Sequence, residues 1–128
     1  MNFARREFVG AAALVLLAQG CRTTMDEVVA NAELYGLIGQ MMAAPGKRDE
    51  LIRYLAEGTA EMPGNLAYMI NKDAADPDAL WIVEVWKDKA AHAASLSLPQ
   101  VQAAIAKARP ILAGFGTRAE VVPVGGRH

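Results

Sequence analysis

Residues 79–87 read ALWIVEVWK, a run rich in β-branched and aromatic side chains that predicts a strand. Alternation along a strand places Leu80, Ile82, Glu84 and Trp86 on one face and Trp81, Val83 and Val85 on the other. Both sets are mainly apolar, so a sheet built around this strand has to be covered twice. Helices of the same chain cover one face. The other face calls for a second sheet, which predicts a homodimer packed sheet on sheet. Glu84 and Trp86 are assigned to the helix side, where a cavity can accept a polar group.

The rest of the chain supplies partners for that strand. Leu34–Met42 is a mostly apolar run that ends before the Pro45-Gly46 turn signal and reads as the first strand. Lys47–Glu57 carries Leu51, Ile52 and Leu55 at helical spacing. Asp49 and Glu50 lie in its first turn, where the helix dipole favours acids, and Gly58 suits its end. Asn65–Lys72 reads as a second strand, and DAADPD at 73–78 as the turn into Ala79–Lys87. Asp88 is the expected N-cap of a helix holding Ala90, Ala91 and His92. A fresh helix starts around Ser97 and Pro99, with Val101, Ile105 and Leu112 on its apolar face and Pro110 ending or kinking it. Thr117–Val124 reads as the last strand. The order β-α-β-β-α-β predicts a ferredoxin-like α+β fold with a four-stranded antiparallel sheet.

The N-terminus has a different character. Arg5 and Arg6 precede an apolar run from Phe8 to Ala18, short for a membrane span and suited to the core of a signal peptide. The basic pair followed by Glu7, Phe8 and Val9 resembles a twin-arginine signal. Small residues at Ala18 and Gly20 suit cleavage before Cys21, and a cysteine there is a candidate for lipidation and a membrane tether. The expected organisation is an export signal at 1–20, a tether at 21–33 and a folded domain at 34–126, located in the periplasm or cell envelope. The uncleaved alternative is an amphipathic N-terminus with a chance cysteine.

A chain of 128 residues suits one domain. Its net charge of −1 argues against a nucleic-acid partner, which calls for a basic face. Cys21 is the single cysteine, so no intrachain disulfide forms. One internal histidine and one thiol are too few for a protein metal site, and no glycine-rich phosphate loop appears.

Candidate chemistry gathers after the third strand. Trp86 offers a flat apolar face and one N–H donor. His92 is placed to approach it, and Tyr68 on the second strand can point into the same space. An indole wall with an imidazole and a phenol at its mouth suits a flat aromatic ligand carrying hydroxyls, and histidine can take a phenolic proton near neutral pH. Plainer readings compete: a solvated or capping His92, Trp86 and Tyr68 as core, and Glu84 paired with Arg109 or Lys107. Met41, Met42, Met62 and Met69 are expected to fill core gaps or a dimer seam.

In LYGLIGQMMAAPGKRDEL, MPGNLAYMINKDAADPDALWIVEVW, AAHAASLSLPQVQAAIAKARP and VVPVGG, taken in order, the chain resembles the antibiotic biosynthesis monooxygenase superfamily, in particular its quinol monooxygenases. The resemblance runs from about Leu34 to Gly126. It implies a dimeric α+β barrel. It also implies oxygenation of quinols or polyphenolic aromatics by O2 with no cofactor: no metal, flavin or haem. Position by position, Trp86 and His92 match the family's pocket residues, and Tyr68 and Glu84 match positions near it. Haem-degrading members use an asparagine on the first strand, where this chain offers Gln40. The expected function is a cofactor-independent monooxygenase in which His92 acts as base, Trp86 stacks on the ring and Glu84 orients His92. The alternatives are a non-catalytic dimeric envelope module that binds a small aromatic ligand and, further off, a haem-binding or haem-degrading protein.

Overall fold

The computed structural model describes residues 33–126. The expected export signal, the tether and Cys21 lie outside these residues. Strand β1 (Tyr35–Ala43) leads to helix α1 (Arg48–Gly58), followed by β2 (Asn65–Lys72) and β3 (Ala79–Trp86). Two short helices come next, α2 (Lys89–Ser95) and α3 (Pro99–Ala108). A 3-10 turn at Arg109–Ile111 then feeds β4 (Leu112–Val121). The sheet order is β2-β3-β1-β4, and every neighbouring pair is antiparallel. This is the ferredoxin-like α+β arrangement expected from the element order.

The register fixes the two faces. Tyr35 opposes Trp86, Leu37 opposes Glu84, Gly39 opposes Ile82 and Met41 opposes Leu80 across β1 and β3. Cross-strand partners share a face, so these side chains lie together beneath the helices. Leu51 and Leu80 are 0% exposed and anchor a core with Ala43, Ile82 and Ala108. Full burial of a leucine stabilises by about 1.5–3 kcal/mol. A second cluster joins Tyr35, Leu37 and Trp86, with Met62 and Ala91 packed against it. The assignment of Leu80, Ile82, Glu84 and Trp86 to the helix side therefore holds. The opposite face presents Met69, 55% exposed, and the partly buried Ile38, Trp81, Val83 and Val85.

Turn chemistry holds the elements in place. The Asp73 carboxylate accepts from the backbone N–H groups of Ala75 and Asp76, from the Trp81 indole at 2.7 Å and from the Gln40 amide at 3.2 Å. These donors hold its acid well below the usual carboxylate range, down to about 2. Arg48 Nη1 donates to the carbonyls of Asp73, Asp76 and Ala79, which ties the β2–β3 turn to the start of α1. Asp88 caps α2 as expected, accepting from the Ala91 N–H at 2.8 Å. Pro99 occupies the first turn of α3, where its missing donor costs nothing.

The last strand departs from expectation. β4 begins at Leu112 and ends at Val121, whereas the sequence pattern suggests Thr117–Val124. Gly114 and Gly116 depress strand propensity in the first half, yet that half pairs with Met41 and Met42 of β1. A Cβ on Gly116 would overlap the Gln40 side chain, so glycine is what lets the two strands meet there. Pro123, which has no N–H to donate, follows the strand's end. Leu112, expected on the α3 face, opens this strand.

Candidate functional site

Gly39 sits mid-strand on β1, between Ile82 of β3 and Arg118 of β4. A Cβ built there would meet nothing nearer than the Thr117 carbonyl oxygen at 4.0 Å, so the sheet has a dip at this point. Above it lies a cavity of about 410 Å³, within the range of small-molecule sites. Its floor is Leu37, Gly39, Met41 and Ile82. Leu55 of α1 and Tyr68 of β2 wall it, and Phe115 stands 72% exposed at the rim. Four polar residues interrupt this apolar lining: Glu84, Tyr68, Arg118 and Gln40, the last with its amide turned to Asp73.

Glu84 is held from behind. Its Oε1 accepts the Trp86 indole N–H at 2.8 Å and lies 3.9 Å from His92 Nε2. Both neighbours engage the same oxygen, and among the described residues no hydrogen bond or ion pair occupies Oε2. The side chains of Glu84 and His92 are 16% and 18% exposed. Tyr68 is the register partner of Glu84 on β2. Burial first, and the Glu84 charge second, push its hydroxyl well above the ordinary tyrosine value, so it stays protonated and can donate.

His92 is itself clamped. Its ring centroid is 5.4 Å from that of Trp86, edge to face, and 5.4 Å from that of Tyr35, tilted at 42°. α2 reaches this position because Gly64, at φ +82°, lets the chain turn tightly, and a Cβ there would press on Ala91 at 2.6 Å. Tyr35 donates to Glu120 Oε2 at 2.6 Å. Burial and this bond raise the Tyr35 pKa, and the same bond lowers that of Glu120. A groove of about 580 Å³ runs beside Tyr35, Lys89 and Glu120 on the far side of this row. The 410 Å³ cavity is the better ligand site, because an apolar floor with a few converging polar groups both binds and orients a ring.

The family model described as antibiotic biosynthesis monooxygenase matches residues 34–107. The chain belongs to this family. Membership supports a general monooxygenase-like role. A Chloroflexus aurantiacus protein whose name assigns it provisionally to antibiotic biosynthesis monooxygenases is 55% identical, with a TM-score of 0.72 over 74% of this chain and 97% of that one. A Pseudomonas aeruginosa protein shares the fold at 21% identity and TM-score 0.64, covering 73% and 96% of the two chains. A Bacteroides thetaiotaomicron structure does so at 17% identity and TM-score 0.64, covering 72% and 90%. No curated protein matches the chain.

Against the family's expected pocket, the described structure brings Tyr68, Glu84, Trp86 and His92 together but distributes them differently. Tyr68 and Glu84 line the cavity. Trp86, the expected stacking wall, is 1% exposed and packs in the core with Tyr35 and Leu37. Neither it nor His92 forms part of the cavity lining. The physical reason is that α2 folds over the end of β3 and covers the indole with Ala91 and His92. Glu84 does not pair with Arg109 or Lys107, because Lys107 faces α1 and meets Glu57 at 3.8 Å. Gly39, Phe115 and Arg118 were not among the sequence candidates. Only the β1–β4 register, with its shift between Gly39 and Met41, places them at one site.

Proposed function

We propose that the chain is a cofactor-independent monooxygenase that oxidises a quinol or polyphenolic aromatic with O2. The observation that carries this reading is a carboxylate, Glu84, lining an apolar cavity, with one oxygen unpartnered among the described residues and an imidazole behind the other. The ring lies on Leu37, Met41 and Ile82 with a hydroxyl against Glu84 and Tyr68. Glu84 draws the phenolic proton, with His92 Nε2 3.9 Å behind its Oε1, while the Trp86 N–H fixes the carboxylate. Trp86 is thus a positioning residue. Charge built up on the phenolate makes the ring electron-rich enough to pass an electron to O2 directly. The superoxide couples to a ring carbon that carries hydrogen. Cleavage of the O–O bond, with loss of that hydrogen, leaves a ring carbonyl. One oxygen atom stays in the quinone and the other leaves as water, carrying the phenolic proton and the ring hydrogen. All four electrons come from the substrate, so no external reductant is consumed.

Two further features belong to this reading. The half-exposed apolar face around Met69 and Val83 is covered by the same face of a second copy, giving a homodimer. Light scattering at micromolar concentration should report twice the chain mass; a monomer refutes the pairing. Export and lipidation at Cys21 are tested by intact mass: a species beginning at Cys21 with added lipid supports them, and an intact Met1 species ends them.

The test of activity is oxygen uptake by purified protein with 1,4-dihydroxybenzene and its alkylated relatives in the presence of a chelator. Catalysed uptake that falls in Glu84→Gln supports the assignment. The rival is a dimeric envelope module that holds an aromatic ligand without turnover. Tight anaerobic binding with no uptake in air would favour that module.

A further inference from the structure

We propose that Arg118 makes the cavity selective for aromatic ligands that carry a carboxylate, an inference that rests on the reading of this cavity as the substrate site. Among the described residues lining it, Arg118 is the one cation and Glu84 the one anion. Among the described residues, Arg118 is only loosely paired with a carboxylate. Its Nη2 lies 4.0 Å from Glu120 Oε2, the outer limit of an ion pair. That same oxygen accepts the Tyr35 hydroxyl at 2.6 Å and meets Lys89 Nζ at 3.6 Å. One carboxylate oxygen therefore serves three donors, and the guanidinium fork has capacity to spare.

The register sets the span. Glu84 is paired with Leu37 on one side of β1, and Arg118 with Gly39 on the other. Their backbones are two strand spacings and two residues apart, about 12 Å on the diagonal. That backbone span leaves room for one benzene ring between the two side chains. A planar fork suits a carboxylate, which it can bind through two parallel N–H bonds. The reverse orientation would set the ligand's carboxylate against Glu84, and like charges repel. Arg118 therefore both recruits the acid and turns the ring so that its hydroxyl meets Glu84. Gly39 keeps the path between the two charges clear.

The experiment is anaerobic calorimetric titration of wild type, Arg118→Gln and Arg118→Lys with 1,4-dihydroxybenzene and 2,5-dihydroxybenzoate. Wild type should bind the acid about tenfold more tightly than the neutral quinol, the gain expected of one charge-assisted contact at a half-exposed site. The ratio should fall towards one in Arg118→Gln and recover in part in Arg118→Lys, and added salt should narrow it. Equal affinities in wild type, or a ratio unmoved by Arg118→Gln, overturn the inference while leaving the cavity assignment intact. Failure of both probes to bind overturns the two together. Selective binding with no oxygen uptake in air sinks the oxygenase reading and leaves the selectivity standing.

Discussion

Replacing Glu84 with leucine removes the acceptor of a buried donor at nearly constant volume. Trp86 is 1% exposed, so water cannot take over the bond that its Nε1 makes to Glu84 at 2.8 Å. An unsatisfied buried N–H costs about 1–3 kcal/mol. Leucine recovers only part of this through apolar burial. The expected net loss for Glu84→Leu is about 1–3 kcal/mol, read as a lower urea midpoint with an unchanged slope. Glu84→Gln keeps an oxygen facing the indole and loses only the charge assistance, about 1 kcal/mol. Tryptophan fluorescence during urea unfolding at pH 7 measures both. Turnover of a quinol should fall about 10²–10⁴-fold in each variant, the usual range for a lost proton-transfer group. The reasoning is refuted if Glu84→Leu is as stable as wild type, if Glu84→Gln is the less stable of the two, or if either keeps full turnover.

Three other outcomes follow from the same geometry. Gly39→Val should fill the dip in the sheet and lower quinol affinity by at least tenfold with little change in melting temperature, since no atom within 4 Å except the Thr117 carbonyl opposes a Cβ; titration and circular dichroism together check this. Asp73 has a pKa depressed from 3.8 to about 2 by its four donors, so the stability it contributes is present above pH 3.8 and lost as pH falls towards 2; Asp73→Asn should flatten the acid limb of a stability-against-pH curve in that window. The Tyr68 hydroxyl, raised by burial and by Glu84, should ionise only as the protein unfolds at high pH, so an ultraviolet titration that shows three tyrosinate steps in the folded protein would contradict its place in the site.

The sequence discloses the elements that are governed by local rules. Alternation in ALWIVEVW, the Asp88 cap, the Pro99 helix start and the DAADPD turn each have a short-range physical cause, and each appears where that cause places it. The helix-side assignment of Glu84 and Trp86 is legible for the same reason. What the sequence conceals is set by register. Leu112–Gly116 is a poor strand by propensity and forms one because β1 offers an edge. Nothing local shows that Arg118 lies opposite Gly39, or that α2 covers Trp86 while Glu84 stays open to the cavity. A one-residue slip between β1 and β4 would turn Arg118 to the other face, so its role is visible only once the pairing is known.

The most direct measurement is a crystal structure of the protein with 1,4-dihydroxybenzene bound under anaerobic conditions. The account predicts the ring over Gly39, between Met41, Ile82 and Tyr68, with one hydroxyl about 2.7 Å from Glu84 Oε2. A ring stacked directly on Trp86, or seated in the groove beside Tyr35 and Lys89, would contradict it.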